Sequence, residues 1–205
     1  LWPKTIKEAY KIAPPHIARY LFAAKNVQDK DICDVACGVG YGSFLLAGKA
    51  RSVQGIDVAP EAINWGSENF KSENVQFHCK DVQQQWPVSG PFDIVISHET
   101  IEHLEHPEQF VKGIHDRLKP GGKVFMSLPN GPRDKARRSN PYHVQHFTKE
   151  EITELVKSYF TDAKFYTIRY RHSLVHYLNK WRRIITFDKT GRVLPQNFYF
   201  DPGLD

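Results

Sequence analysis

Several protein classes are excluded by what this sequence lacks. Its 205 residues hold only three cysteines, Cys33, Cys37 and Cys79. Their spacing fits neither a zinc site nor a secreted disulfide scaffold, so three free thiols in a reducing compartment are expected. Cys33 is expected to point into the core and Cys37 to lie in a turn. No apolar run approaches the length of a membrane span. No basic, apolar leader follows Leu1, and a cytoplasmic protein is expected. Internal repeats and low-complexity tracts are also missing.

Charge of one sign is not in large excess either. The net charge is +5, and it is unevenly placed. Residues 1–132 carry 14 Lys and Arg against 15 Asp and Glu, whereas residues 133–205 carry 14 against 8. This balance is too modest to require nucleic acid. The basic C-terminal part is either an ordinary solvated face or an attractor for a phosphate-bearing or acidic substrate. With 40% hydrophobic and 25% charged residues, the chain reads as one soluble domain over 1–205, too short for two.

What the sequence does contain begins with Asp34-Val-Ala-Cys-Gly38-Val-Gly40-Tyr-Gly42. A short apolar run precedes it, and an apolar helical pattern (Phe44, Leu45, Leu46, Ala47) follows. Strand, glycine turn and helix are therefore expected in that order. Glycines let the backbone approach a ligand, and the helix N-terminus beyond offers free N–H groups. The next strand ends in Gly55-Ile-Asp57, 17 residues past Gly40. A carboxylate at that tip suits both hydroxyls of a ribose, although Asp57 is also placed to cap the helix beginning near Pro60. The third glycine of a dinucleotide fingerprint, G-x-G-x-x-G, is out of place here. The carboxylate Asp34 before the turn favours a cationic or amine-bearing ligand instead.

The chain alternates strands and helices as an α/β protein does. Strands are expected near 32–35, 53–57, 75–79, 93–97 and 123–128. Helices are expected near 42–49, 60–69, 107–118 and 149–158. Before them, Pro14-Pro15 splits residues 5–24 into two short helices. Later, 165–170 reads as a sixth strand and 198–200 as a seventh. Residues 173–187 look helical, with Leu174, Leu178, Trp181 and Ile185 on one face, and 171–195 reads as an insertion before the last strand. Trp181, Tyr177, Phe198 and Tyr199 are candidates for a homodimer face or a simple sheet cover.

The motif set resembles the class I S-adenosylmethionine-dependent methyltransferases. Asp34–Gly42 looks like their first motif and Gly55–Asp57 like their acidic second. Cys79-Lys-Asp81-Val82, Phe92–Ser97 and Leu118–Met126 look like the third, fourth and fifth. All five stand in order between about residues 30 and 130. The resemblance implies a Rossmann-like α/β fold with a seven-stranded, mostly parallel sheet and helices on both faces, the last strand antiparallel. It implies S-adenosylmethionine as cofactor, bound by Asp34, Ala36, Gly38, Gly40, Asp57, Val58, Asp81, Val82, Ser97 and His98. Asp34 would serve the methionine amino end and Asp57 the ribose. Asp81 and the Val82 N–H would serve the adenine, and His98 would border the sulfur. Residues 1–27 would form lid helices over the cofactor, with Tyr10 and His16 at the entrance.

Two further clusters bear on the acceptor. His98-Glu99-Thr-Ile-Glu102-His103 follows the fourth strand, and helical spacing would put Glu99, Glu102 and His103 on one face. Asn140-Pro-Tyr-His143-Val-Gln-His146 follows the fifth. Both histidines can act as bases near pH 7. The catalytic candidates are therefore His143, His146, Glu99 and His103. The same residues resemble the Glu-x-x-Glu-His segment and later histidine of RNA 3′-terminal ribose methyltransferases, which bind a divalent ion. A metal, if used, would fall on Glu99, Glu102, His103 and His143. The segment is equally similar to that of metal-free small-molecule methyltransferases of sugar, glycan and quinone pathways. No RNA-stacking surface is visible. The expected function is methyl transfer to a hydroxyl of a sugar or related small molecule without a bound metal. The alternatives are an RNA 3′-terminal methyltransferase and a non-catalytic S-adenosylmethionine-binding protein.

Overall fold

A computed structural model describes residues 2–131, 140–167 and 182–188 of the chain. Two short helices come first, α1 (Ile6–Ile12) and α2 (Pro14–Ala23). Thr5 caps α1 through its side chain, and the two prolines occupy the first turn of α2, where a missing N–H costs nothing. Then follow β1 (Asp31–Val35), α3 (Tyr41–Ala47), β2 (Ser52–Asp57), α4 (Pro60–Asn69), β3 (Val75–Cys79) and β4 (Phe92–His98). After a single 3-10 turn at Ile101–His103 come α5 (Pro107–Asp116), β5 (Leu118–Pro129), α6 (Lys149–Lys157), β6 (Asp162–Thr167) and β7 (Arg182–Asp188).

The parallel sheet has five strands, in the order β3-β2-β1-β4-β5. This corrects the expected seven-stranded, mostly parallel sheet. Among the described residues, the chain beyond the fifth strand adds no parallel neighbour. Instead β7 runs antiparallel to β5, and β6 antiparallel to β7, as a ribbon on that edge. The strand Arg182–Asp188 also replaces part of the helix expected over 173–187, and it falls inside the expected insertion 171–195. Its run of Ile184, Ile185 and Thr186 is β-branched, which favours a pleated strand paired along β5 over a helix. The strand expected at 198–200 and the residues proposed for a dimer face lie outside the described residues.

The parallel strands are short apolar runs because both of their faces are covered. On one face Cys33, Val35, Val95, Val124 and Met126 pack against Phe110, Val111 and Ile114 of α5 and Ile152 and Val156 of α6. On the other, Ile32, Ile94, Ile96 and Phe125 pack under Tyr20 and Phe22 of α2 and Leu46 of α3. Register sets the carboxyl ends level. Val35 lies opposite Ile56 on one side and Ser97 on the other, and His98 lies opposite Ser127. Strand order reverses between β1 and β4, which opens a crevice at those ends.

The amino ends of the strands carry a charge network instead. Asp31 pairs with Arg51 and Lys119, and Asp93 accepts from Lys119 Nζ at 2.8 Å and from the Asp31 N–H at 2.9 Å. The Arg51 bond holds the Asp31 carboxyl well below the usual carboxylate range, against the opposing effect of burial. Burial pushes Asp93 up, but Lys119 and the Asp31 N–H outweigh it and its pKa is lowered. A depressed carboxylate stabilises the fold above its unfolded pKa, about 3.9, and that contribution is lost as pH falls through the folded value. Thermal melts should therefore show a midpoint that declines below about pH 4. Asp93→Asn should lower the midpoint at pH 7 by roughly 2–4 °C, about 1 kcal/mol, and should flatten the acid limb. An unchanged acid limb would show that the network contributes nothing.

Candidate active site

The glycine turn joins β1 to α3 at the crevice. Ala36, Gly38 and Gly40 all have positive φ, at 58°, 57° and 82°. The strained alanine is held by its surroundings, because the Cys37 N–H donates to the Ile56 carbonyl. Gly38 and Gly40 differ in purpose. A Cβ on Gly40 would come within 2.5 Å of the Phe77 ring, so this glycine serves packing as well as the turn. A Cβ on Gly38 would meet nothing within 4 Å. Its open side is where the backbone can approach a ligand.

Asp57 ties this turn to its neighbour. One carboxylate oxygen accepts from the Gly38 N–H at 2.8 Å and the other from the Ala59 N–H at 2.9 Å. The side chain is half-buried, and each oxygen keeps a lone pair for a further donor. The helix cap expected of Asp57 is not formed, since Ala59 is the N-cap of α4 and no side chain caps it; Asp57 instead organises the loop before α4 through the Ala59 N–H. Val58 beside it is exposed. Asp81, at the end of β3, accepts from the Gln83 N–H at 2.9 Å and organises the turn of which Val82 is part.

Asp34 lies deeper than its expected contact with a ligand suggests. It is fully buried, and its two oxygens accept from Tyr20 Oη at 3.1 Å and Ser43 Oγ at 2.6 Å. Burial pushes its pKa up to about 7, against the lowering effect of those two hydroxyls. Burial first, then the charge on Asp34, raises the Tyr20 phenol well above its ordinary value, so Tyr20 stays a donor. Tyr20 also sits edge-on to the His98 ring, with centroids 5.0 Å apart. His98 is nearly buried. Burial, then the charges of Arg19 and His16, push its pKa well below the ordinary value and hold it neutral. Its two ring nitrogens, Ser97 Oγ and Thr100 Oγ1 have no hydrogen-bond partner among the described residues.

The acid and histidine clusters separate into two groups. Glu99, with φ 56°, pairs through Oε1 with Arg19 of α2 and accepts from Ser127 Oγ, both at 3.2 Å. Glu99 thereby ties the N-terminal helices to the ends of β4 and β5, away from Glu102 and His103. The three do not share one helical face, because the turn spans only Ile101–His103 and the strained Glu99 precedes it. Glu102, His103 and His143 do converge, each with a ligand atom within 4.8 Å of the others. The loop carrying His143 is clamped to the turn, since the N–H groups of Val144 and Gln145 both donate to the Glu102 carbonyl. His143 Nδ1 lies 2.7 Å from His146 Nε2, and His143 Nε2 lies 3.0 Å from Asn140 Nδ2. An ion on His143 would therefore displace one of these two bonds.

Four residues of the site, Arg19, Ser43, Ser127 and Asn140, were not foreseen as functional. Hydropathy periodicity gives no signal for a buried arginine on α2, because its ion pair partner is 80 positions away in sequence. Asn140 was visible inside the histidine segment, but its role depends on the turn at Tyr142.

Known proteins are similar to this chain in sequence and in fold. Residues 7–160 match the family model described as a methyltransferase domain. A ubiquinone biosynthesis O-methyltransferase of Coxiella burnetii is 29% identical over 129 residues, 60% of this chain and 55% of that protein. A probable S-adenosylmethionine-dependent methyltransferase of Mycolicibacterium smegmatis is 29% identical over 146 residues, 70% of this chain and 56% of that one. The chain thus spans about half the length of these curated relatives. The fold is shared with the N-methyltransferase NodS of Bradyrhizobium japonicum, solved with S-adenosylhomocysteine. That match has a TM-score of 0.69 at 17% identity and covers 85% of each chain. A Pyrococcus horikoshii protein gives a TM-score of 0.64 at 23% identity, over 89% of this chain and 90% of that one. Glycine turn, acidic second strand and family match agree, and the chain belongs to the class I S-adenosylmethionine-dependent methyltransferase domains.

Proposed function

We propose that this domain transfers a methyl group from S-adenosylmethionine to a hydroxyl of a small molecule. The observation that carries this reading is the cradle formed by Gly38, open on one side, and Asp57, which keeps a lone pair on each oxygen. When bound, S-adenosylmethionine supplies an electrophilic methyl group on a sulfonium. Asp57 takes the ribose hydroxyls and Asp81 with the Val82 N–H takes the adenine. Ala36, Gly38 and Gly40 line the sulfur side, with Ser97 and His98 at the end of β4. Asp34 acts at one remove. It fixes Tyr20 and Ser43 and places a carboxylate behind the turn for the amino end of the methionine moiety. Glu99 holds the lid helix α2 through Arg19.

The chain's remaining work is to orient an acceptor and take its proton. The histidines His103, His143 and His146 at the ends of β4 and β5 suit an oxygen nucleophile. The Coxiella burnetii relative is named a ubiquinone biosynthesis O-methyltransferase, so phenolic hydroxyls stand beside the sugar hydroxyls expected from the sequence. Incubation with S-adenosylmethionine and a panel of catechols, sugars, sugar phosphates and RNA ends, read as S-adenosylhomocysteine formed, tests this directly. Product with a small hydroxyl compound is expected. Product with RNA alone would overturn the small-molecule reading, and tight cofactor binding with no product from any acceptor would favour the non-catalytic one.

Three outcomes check the site. Calorimetry should show S-adenosylhomocysteine binding with proton release near pH 7, because an ammonium approaching Asp34 stabilises the charged form of a group poised at about 7. Binding enthalpies independent of buffer ionisation would remove Asp34 from this role. Asp57→Ala should weaken the cofactor by at least about tenfold, as two hydrogen bonds to a charged group are lost, each roughly 1.5–3 kcal/mol. It should also lower the thermal midpoint modestly, because Gly38 and Ala59 lose their acceptor. A lower midpoint with unchanged affinity would leave Asp57 only its structural part. Turnover should persist in excess chelator, and its loss would assign an ion to Glu102, His103 and His143.

A further inference from the structure

The hydrogen bonds around Tyr142 fix where the protons lie on three histidines. Asn140 Oδ1 accepts from the Tyr142 N–H at 3.0 Å, which settles the orientation of the amide. Its other end, Nδ2, is a donor and faces His143 Nε2 at 3.0 Å. His143 Nε2 must then be an acceptor, since an N–H there would oppose the amide N–H. A neutral His143 so constrained carries its proton on Nδ1, which donates to His146 Nε2 at 2.7 Å. His146 in turn carries its proton on Nδ1. The carbonyl of the same residue, Tyr142, accepts from His103 Nδ1 at 2.9 Å, so His103 is also protonated at Nδ1. One peptide unit pair thus dictates three tautomers.

The consequence is a division of labour. The His143 Nε2 lone pair accepts from Asn140, and the His146 Nε2 lone pair accepts from the His143 Nδ1 proton. His103 has its lone pair on Nε2, with no hydrogen bond to that atom among the described residues. We propose that His103 Nε2 is the base for the acceptor hydroxyl and that Asn140 is the positioning residue that keeps His143 and His146 out of that role. This rests on the methyltransferase reading above. His103 Nε2 takes the hydroxyl proton as the oxygen–carbon bond forms and the sulfur–carbon bond breaks, the bonding pair remaining on sulfur. The rings of His103 and His143 meet edge to face at 4.8 Å, so His143 also braces the base. His146 anchors His143 in turn, being nearly buried and 4.9 Å from it between ring centroids.

Long-range nitrogen–proton NMR of the full chain labelled with 15N in its histidines tests the arrangement without a substrate. At pH 8, His103, His143 and His146 should all show a protonated Nδ1 and an unprotonated Nε2. Asn140→Asp replaces the donor by an acceptor, so Nε2 of His143 should become protonated while His103 keeps its pattern. A wild-type His143 or His103 protonated at Nε2 would overturn the proposal. With a hydroxyl acceptor in hand, His103→Gln should lower kcat by about 10²–10⁴-fold, with S-adenosylhomocysteine affinity within twofold of wild type. His143→Gln should cost less. Equal or greater loss from His143→Gln with intact cofactor binding would move the base to His143. Failure of the wild-type chain to bind S-adenosylhomocysteine would instead refute the methyltransferase reading and leave the NMR result standing on its own.

Discussion

The bond from the Gly38 N–H to Asp57 is the contact on which the site depends. It joins the turn after β1 to the tip of β2, and the second oxygen of Asp57 joins that tip to the loop before α4. Without this carboxylate, two N–H groups at the floor of the crevice would need other acceptors. With it, the turn stands open at Gly38 and each oxygen of the acid keeps a lone pair. Parallel pairing of β1 with β2 supplies the precondition, because it brings Val35 level with Ile56 and so sets Gly38 beside Asp57. In the proposed binding mode, ligand recognition and loop order are one interaction, and a change at Asp57 is expected to touch both.

A second layer builds outward from there. Asp34, Tyr20 and Ser43 form a buried set of hydroxyls and carboxylate beneath the turn, and Arg19 and Glu99 fasten α2 over the ends of β4 and β5. Both place charge where water is excluded, and electrostatic interactions are stronger there. On the far side, the 3-10 turn at Ile101–His103 and the loop from Asn140 to Phe147 lock together through the Glu102 carbonyl. His103 on the turn and His143 and His146 on the loop are thus brought together by backbone hydrogen bonds.

Much of this was legible in the sequence, because much of it is local. The five parallel strands follow from apolar runs bounded by Gly, Pro and Asp, and the helices at Pro60 and Pro107 from proline in the first turn. The break at Pro14-Pro15 is equally local. The edge ribbon was not legible in the same way. Leu174, Leu178, Trp181 and Ile185 keep a helical period, yet Arg182–Asp188 is a strand, because pairing along β5 rewards the β-branched run more than periodicity rewards a helix. Arg19 gives no local signal for a related reason. Its ion pair crosses from α2 to the end of β4, and long-range pairing leaves no trace in a local pattern. Glu99 looked like a helical neighbour of Glu102 and His103, but its left-handed backbone turns it toward Arg19 instead.

A crystal structure of the chain with S-adenosylhomocysteine bound tests the central claim most directly. The account predicts both ribose hydroxyls within hydrogen-bonding distance of Asp57, with the Gly38 and Ala59 N–H bonds retained and the ligand backbone passing over the open side of Gly38. A ligand seated elsewhere, with Asp57 bonded only to its two backbone N–H groups, would contradict it.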